Sequence, residues 1–234
     1  MQHIFIRIPK NGCVTVQHIA ELNGRLITAA APANLISPEY AAAVTAEMES
    51  RGMYPGLGHA RWRDLNIELR ENHAAVAIVR NPWSRVLSRY NFAFGAAKSG
   101  RLKLPDEYTF EMFLDERHTM GNLPYFWHRA IHGWYPQKDY ITDETGVLKC
   151  DILRFEYFDE DLSKYFDLKN PIQPRNVSNG KKSDDGFSIV DKQDYRDFYT
   201  DETREIIADW YKDDIEFFGF TFDGPAIKNI WNVT

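Results

Sequence analysis

Two segments of the chain place a cationic side chain and a hydroxyl residue directly after an apolar run. The first is Pro9–Thr15, which follows the apolar residues Ile4–Ile8. Lys10 supplies a mobile positive charge, Gly12 allows the backbone to approach a ligand closely, and Thr15 adds a hydroxyl. The N–H groups that open a helix also attract anions. This segment predicts a site for a phosphate-like group.

The second segment begins where the apolar run Ala74–Val79 ends. Arg80 comes next, and Ser88 lies eight residues after Arg80. A guanidinium offers a planar fork to a phosphate, and a serine hydroxyl can complete its shell. Pro82 makes the start of the following helix rigid. The segment predicts a second anion site, and Arg85 either adds to it or is a charge on the helix surface.

The elements that position these segments alternate between strands and helices. Strands are predicted at Ile4–Ile8, Ala74–Val79 and Lys149–Phe155. Capping residues, prolines and glycines predict helices at 14–23, from Ser37-Pro38 to Gly52, from Asn81-Pro82 to Phe94, at Thr109–Glu116, and from Thr200 to just before Gly219. Such alternation predicts an α/β fold whose central, mostly parallel sheet is flanked by helices. Ligands then bind beyond the carboxyl ends of the strands.

Composition indicates a globular protein with a large core. Hydrophobic residues make up 44% of the 234 residues and aromatic residues 14%. No linker or repeat divides the chain, so we expect one domain over residues 1–234. No apolar run is long enough to cross a bilayer, and the first residues lack signal-peptide features. Cys13 and Cys150 have neither metal-ligand nor disulfide-framework spacing, which favours a reducing, cytoplasmic setting.

The formal charge of −6 is unevenly distributed. Six basic residues and no acidic residue lie between Arg80 and Lys103, whereas twelve acidic residues face four basic ones between Asp184 and Glu216. A locally basic cleft can attract an anion in an acidic protein. Because no nucleic-acid-reading module accompanies the basic run, we expect no nucleic-acid partner.

The segment Ile8-Pro9-Lys10-Asn11-Gly12-Cys13-Val14-Thr15 resembles a known phosphate loop. It is similar to the 5′-phosphosulfate loop of sulfotransferases that use 3′-phosphoadenosine 5′-phosphosulfate (PAPS), commonly written Ile-Pro-Lys-Thr-Gly-Gly-Thr-Ser. Asn11, Cys13 and Val14-Thr15 depart from that pattern. The Walker pattern Gly-x-x-x-x-Gly-Lys-Ser/Thr is absent.

The segment from Val79 to Tyr90 resembles the 3′-phosphate site of the same family, with Arg80 and Ser88 at the matching positions. Looser similarity follows at 132–137, 151–156 and 199–220. Together these segments resemble the carbohydrate-type, family 2-like sulfotransferases, which are related to heparan and chondroitin sulfotransferases.

The resemblance implies a P-loop-NTPase-like, three-layer fold and a PAPS-dependent enzyme of the EC 2.8.2 type. Such an enzyme moves a sulfuryl group by in-line displacement onto a hydroxyl acceptor, here expected to be a carbohydrate, without a metal. Lys10 would act in catalysis. The residues that would bind the nucleotide are Lys10, Asn11, Gly12, Cys13, Val14, Thr15, Arg80, Ser88 and Lys181. Lys181 belongs to a polar loop, and either it or Lys182 would reach the 3′-phosphate or an anionic acceptor unless the loop is simply exposed.

A histidine is the expected general base. His59 is the first choice because its setting resembles the His-Gly-His segment of heparan 2-O-type enzymes, although only one of the two histidines is present. His128, His132 and Glu156 are the alternatives. An aromatic group could form a sugar-stacking wall or could pack in the core; it comprises Tyr125, Phe126, Trp127, His128, Trp134 and Tyr135.

Two other functions remain open at this level. A nucleotide-dependent kinase with a degenerate phosphate loop is disfavoured because no Walker lysine-serine pair or acidic magnesium-binding strand end is present. A relative that binds the nucleotide but has lost catalysis is disfavoured by the presence of Lys10 and a candidate base.

Overall fold

The computed structural model describes residues 2–28, 35–175 and 194–231. Four parallel strands form one sheet in the order β2-β1-β3-β4. The strands are β1 His3–Ile6, β2 Leu26–Thr28, β3 Ala75–Val79 and β4 Asp151–Arg154. The predicted α/β fold with a central parallel sheet is confirmed.

Both faces of the sheet are covered, so its central strands are apolar along their length. All five residues of β3 are buried. Side chains alternate between the two faces: Ile4, Ile6 and Ala77 pack in one core, whereas Phe5 and Val76 pack in the other. Each face therefore has its own hydrophobic core under a layer of helices.

The helices begin and end at α1 Cys13–Gln17, α2 Pro38–Ser50, α3 Ile67–Asn72, α4 Pro82–Lys98, α5 Phe110–Met120, α6 Lys138–Ile141, α7 Phe158–Phe166, α8 Tyr195–Phe198, α9 Asp201–Trp210 and α10 Lys212–Phe218. The long helix α4 confirms the prediction of a capped helix after β3. The Asn81 side chain accepts hydrogen bonds from the backbone N–H groups of Trp83 and Ser84, and Pro82 occupies the first turn. No helix in the described ranges is long and apolar enough to span a membrane.

Two predicted helices are wrong in extent. The helix expected at 14–23 ends at Gln17, and a short 3-10 turn follows at Ala20–Leu22. The β-branched residues Val14, Thr15 and Val16 favour helix only weakly, and Ile19 is extended. The C-terminal helix breaks at Tyr211 into α9 and α10, which places Asp214 in the first turn of α10.

The predicted strands are correct in position but too long. The strand expected at 149–155 covers Asp151–Arg154 and gives way to a 3-10 turn at Phe155–Tyr157 and then to α7. The edge strand β2 and the helices α3, α6 and α8 were not predicted, because each is short. Helix α7 was also not predicted, although Phe158, Leu162 and Phe166 have helical spacing.

Candidate functional site

The turn after β1 contains two left-handed residues, Lys10 with φ 71° and Gly12 with φ 80°. For a residue with a side chain this conformation costs about 1–2 kcal/mol. Two arginines hold the carbonyls on either side of Lys10. Nε of Arg85 donates to the Pro9 oxygen at 3.2 Å, and Nη1 of Arg80 donates to the Lys10 oxygen at 2.9 Å. The conformation of Lys10 is thereby fixed by residues that follow β3.

Gly12 is required at its position for two reasons. Its positive φ disfavours any residue with a Cβ, and an added Cβ would lie 2.4 Å from Cε2 of Phe158. Phe158 begins α7, so the close contact brings that helix against the turn. The close approach seen at Gly12 is to Phe158, and the predicted approach of this backbone to a ligand stays a prediction.

The ammonium group of Lys10 has no carboxylate partner within ion-pair distance among the described residues. Its Nζ lies 4.1 Å from the centre of the Phe92 ring on α4, close enough for a cation–π contact. Burial, reinforced by the nearby Arg80 charge, lowers the pKa of Lys10 to about 8. Lys10 is half-buried, and both effects are those of a cation partly withdrawn from water beside a second cation.

Arg80 lies beside Lys10 at the carboxyl end of β3. Its guanidinium stacks on Phe155, with Cζ 4.1 Å from the ring centre, and its Nε donates to Oγ of Ser84 at 2.9 Å. Burial lowers the pKa of Arg80 to about 10. Ser88 lies one turn beyond Ser84 on α4, is half-buried, and has no hydrogen-bond partner in the part of the chain that is described. The structure thus brings the two predicted anion sites together.

A buried glutamine that sequence analysis did not identify as a site residue joins the two strand ends. Oε1 of Gln137 accepts from Nδ2 of Asn11 at 2.7 Å and from the backbone N–H of Arg80 at 2.9 Å. Its Nε2 donates to the Arg80 oxygen at 2.8 Å. Asp214 accepts from the Gln137 and Lys138 backbone N–H groups at 2.7 and 2.8 Å. Gln137 acts as a clamp between the two turns. In the sequence, only its place in segment 132–137, which loosely resembles the family, pointed to it.

The remaining predicted residues of the first turn are mostly engaged with the protein. Asn11 is buried, and its Nδ2 also donates to the Ile78 oxygen at 2.7 Å. Sγ of Cys13 donates to the Ile8 oxygen at 3.1 Å, and burial raises the pKa of this thiol. Oγ1 of Thr15 accepts from the Arg175 N–H at 3.0 Å. Val14 is half-buried. Lys181 lies outside the described residues.

A comparison with models of protein families gives a match that includes both turns. A family model described as "Sulfotransferase family" matches residues 2–221. The chain belongs to the sulfotransferase family. Neither a search of curated proteins nor a search of solved structures returned a match.

In this sulfotransferase, His59 lies between the two turns in sequence and close to the first turn in space. Its Nδ1 lies 2.7 Å from the Arg7 oxygen. Because a carbonyl only accepts, Nδ1 carries the proton and Nε2 keeps its lone pair. Burial lowers the pKa of His59 to about 3, aided by the nearby charges of Arg7 and Arg85. The imidazole is therefore neutral and its Nε2 lone pair can accept a proton, but a pKa of about 3 lies well below the near-neutral value that suits a general base.

The alternative bases are occupied by structural contacts. The buried His128 contacts the Tyr40 hydroxyl through Nε2 at 2.9 Å, and burial lowers its pKa to about 4. Nδ1 of His132 lies 2.9 Å from Oε2 of Glu116. Oε1 of Glu156 accepts the Asn81 N–H at 2.7 Å and so helps to cap α4. These contacts disfavour His128 and Glu156, whereas His132, like His59, is engaged only through Nδ1. The choice of His59 stays a prediction.

Most of the predicted sugar-stacking wall is core. The members Phe126, Trp127, His128 and Trp134 are all buried. Only Tyr125 and Tyr135 are partly accessible. Core packing, the competing interpretation, is therefore correct for four of the six residues, because their rings fill the space between helices.

Arg85 is also buried and is not a charge on the helix surface.

Among the described residues, no three His, Cys, Asp or Glu side chains gather into a group that could hold a metal ion. The expectation of a metal-free reaction stays a prediction.

Proposed function

We propose that this sulfotransferase uses PAPS as its sulfuryl donor and transfers the sulfuryl group to a hydroxyl acceptor. The observation that carries the proposal is the direct contact between the two turns, with Nη1 of Arg80 2.9 Å from the Lys10 oxygen. PAPS is anionic at both ends of its ribose, and one molecule can therefore contact two adjacent cationic turns. Its 5′-phosphosulfate would lie at the Lys10 turn and its 3′-phosphate at Arg80 and Ser88.

The cations of the two turns fit such a polyanion. Neither Lys10 nor Arg80 forms an ion pair with a carboxylate within the described ranges. Burial and the Arg80 charge lower the pKa of Lys10, and burial and the Arg85 charge lower the pKa of Arg80. Half-buried charges without an ion-pair partner are costly, and an anionic ligand would offset that cost. PAPS would supply an activated sulfuryl group whose transfer needs no protein nucleophile.

The roles of the protein groups follow from their positions. His59 takes the proton of the acceptor hydroxyl on Nε2, which is free because Nδ1 is bonded to the Arg7 oxygen. Lys10 offsets the negative charge that develops on the leaving phosphate. The Gln137 clamp keeps the two turns in register, so that donor and acceptor are held in line. The anionic ligand would also raise the pKa of His59 and make it a better base.

A carbohydrate is the proposed acceptor. Tyr54 is 81% exposed and belongs to the loop that leads into His59, and its backbone oxygen accepts from Arg129. An exposed aromatic ring suits the apolar face of a sugar. The partly accessible Tyr125 and Tyr135 lie on the neighbouring segment that packs against the same loop.

The decisive experiment is incubation with sulfur-labelled PAPS and a panel of glycans, small alcohols and phenols. We expect labelled product with at least one glycan, and much slower formation of that product by the Lys10→Ala variant. Products from phenols alone would contradict the carbohydrate acceptor. No product from any acceptor would contradict sulfuryl transfer and would favour a binding protein that has lost catalysis.

Nucleotide binding tests the donor separately. We expect Arg80→Ala to weaken binding of adenosine 3′,5′-bisphosphate in calorimetry by about tenfold to a hundredfold, because a charge-assisted hydrogen bond to phosphate is lost. Lys98→Ala removes the same charge from the exposed end of α4 and should leave the affinity unchanged. Equal affinity in both variants would contradict the 3′-phosphate assignment. Stabilisation by ATP but not by the bisphosphate would instead favour a kinase.

A further inference from the structure

Arg85 is buried in the middle of the candidate site yet touches no carboxylate. It is 1% exposed and lies on α4 between Arg80 and Ser88. Its Nε donates to the Pro9 oxygen at 3.2 Å and its Nη1 to the Tyr135 oxygen at 3.1 Å. Its Nη2 has no hydrogen-bond partner among the described residues. A buried guanidinium that has an unused donor and forms no ion pair among the described residues is a poor way to stabilise a fold, although its charge also acts on Asp214.

The two carbonyls that Arg85 holds belong to different parts of the site. Pro9 precedes Lys10, and the Pro9–Lys10 peptide sets the φ angle of Lys10. Arg80 holds the next carbonyl, that of Lys10 itself, at 2.9 Å. Tyr135 lies on the segment that leads through Pro136 to the Gln137 clamp. Arg85 therefore connects the strained Lys10 turn to the segment opposite it.

We propose that Arg85 is a positioning residue that keeps Lys10 in its working conformation by holding the Pro9 carbonyl against the Tyr135 segment. This inference rests on the proposed function, because Lys10 must act on the leaving phosphate for its position to matter. Because Arg85 is 1% exposed, the proposal gives it no direct contact with the nucleotide or the acceptor. Its effect on turnover must then pass through Lys10.

The chain contains a matched control one helical turn away. Arg89 is also fully buried on α4, donates to the Tyr211 hydroxyl at 3.2 Å and to the Ile131 oxygen, and stacks on Trp134. Its contacts lie away from the Lys10 turn. Loss of Arg89 tests what a buried arginine contributes to α4 packing alone.

The experiment is a pair of double-mutant cycles with Lys10→Ala. Turnover per folded enzyme is measured for Arg85→Met and Arg89→Met, alone and combined with Lys10→Ala, with labelled PAPS and the acceptor that the panel identifies. We expect Arg85→Met to lower turnover about 30-fold in the wild type but by less than about threefold in the Lys10→Ala background. Arg89→Met should change turnover by less than about threefold in either background.

A second measurement separates positioning from general damage. Calorimetry with adenosine 3′,5′-bisphosphate should give nearly equal affinity for wild type and Arg85→Met, so that the loss lies in turnover. Arg85→Lys keeps the charge but cannot hold both carbonyls, and we expect it to recover turnover only in part. If Arg85→Met does not fold, the same cycle is made with Arg85→Lys.

The outcomes are distinct. Losses that multiply in the double variant, or full recovery by Arg85→Lys, would overturn the role of Arg85 and leave the proposed function standing. A wild-type enzyme that transfers no label to any acceptor would overturn the proposed function, and the role of Arg85 with it.

Discussion

At Lys10 the backbone and the side chain are held by different groups. Arginines hold the flanking carbonyls, whereas the ammonium group rests on Phe92 and has no acidic partner in the described structure. A residue in a strained conformation persists only where its surroundings impose it. The free side chain and the constrained backbone together leave Lys10 ready to contact an anion.

The pH dependence of turnover should report the state of Lys10. With a pKa of about 8, Lys10 is protonated below that pH and loses its charge above it. We therefore expect kcat/KM for PAPS to fall as the pH rises through 8, because kcat/KM reports the free enzyme. Lys10→Arg should move this alkaline limb upward, and Lys98→Arg should not. If the alkaline limb of kcat/KM is unchanged in Lys10→Arg, the titration of another group causes that limb.

His59 should matter for transfer and not for nucleotide binding. We expect His59→Ala to lower turnover about a hundredfold to ten-thousandfold, the usual contribution of a general base, while affinity for the bisphosphate is retained. His73 is a suitable control, because its Nδ1 also contacts a backbone oxygen, that of Leu69, at 3.1 Å, away from the two turns. A His59→Ala enzyme as active as His73→Ala would place the base elsewhere.

At the scale of elements, the turns after β1 and β3 are joined through the segment before α6. The Gln137 side chain adds a second link between the ends of β1 and β3, and Asp214 at the start of α10 holds the Gln137 backbone. The break at Tyr211 matters here because it places Asp214 in the first turn of a new helix. Four elements thus meet at one buried amide.

Loss of the clamp should affect stability and binding together. Gln137→Ala leaves the backbone N–H and carbonyl of Arg80 without these partners, and each unsatisfied buried group costs about 1–3 kcal/mol. We expect a lower free energy of unfolding in urea and weaker bisphosphate binding. Asn11→Ala combined with Gln137→Ala should cost less than the sum of the single changes, because the two residues share a hydrogen bond. The exposed Gln173→Ala is the control; a clamp variant that matched it in both measurements would contradict the role.

At the scale of the whole molecule, buried histidines make the fold sensitive to acid. Burial lowers the pKa of His128 from 6.5 to about 4, so the unfolded chain takes up a proton in this interval and the folded chain does not. Stability is then complete above pH 6.5 and is lost as the pH falls towards 4. His59 acts in the same direction. Burial raises the pKa of Asp214 from 3.8 to about 6, which acts in the opposite direction over the lower part of this range.

Urea unfolding at several pH values tests this dependence. Each proton taken up only by the unfolded chain contributes about 1.4 kcal/mol per pH unit. We expect the free energy of unfolding to fall from pH 6.5 to pH 4.5, and to fall less steeply in His128→Gln, which cannot gain the proton. The slope is the quantity to compare, since the substitution also changes stability at neutral pH. Equal slopes would show that His128 titrates normally in the folded protein.

Local patterns in the sequence were sufficient to predict the α/β class and the capped helix α4. They also predicted that Lys10 and Arg80 lie near each other at the edge of the sheet. Each depends on short-range features: an apolar run, a cap with a proline, and a cation at a strand end. The carboxyl ends of adjacent parallel strands meet at one edge, so those features also brought the two turns together. The family match over residues 2–221 agrees with this outcome.

Only the tertiary structure decided what the remaining polar residues contact. Arg85 and Gln137 bond to carbonyl and amide groups far away in the chain, and no local pattern encodes those partners. The aromatic group of the predicted wall was ambiguous for the same reason, because a ring that packs in a core and a ring that stacks on a ligand have the same sequence signal. Burial depends on which elements surround a residue, and that is settled by packing.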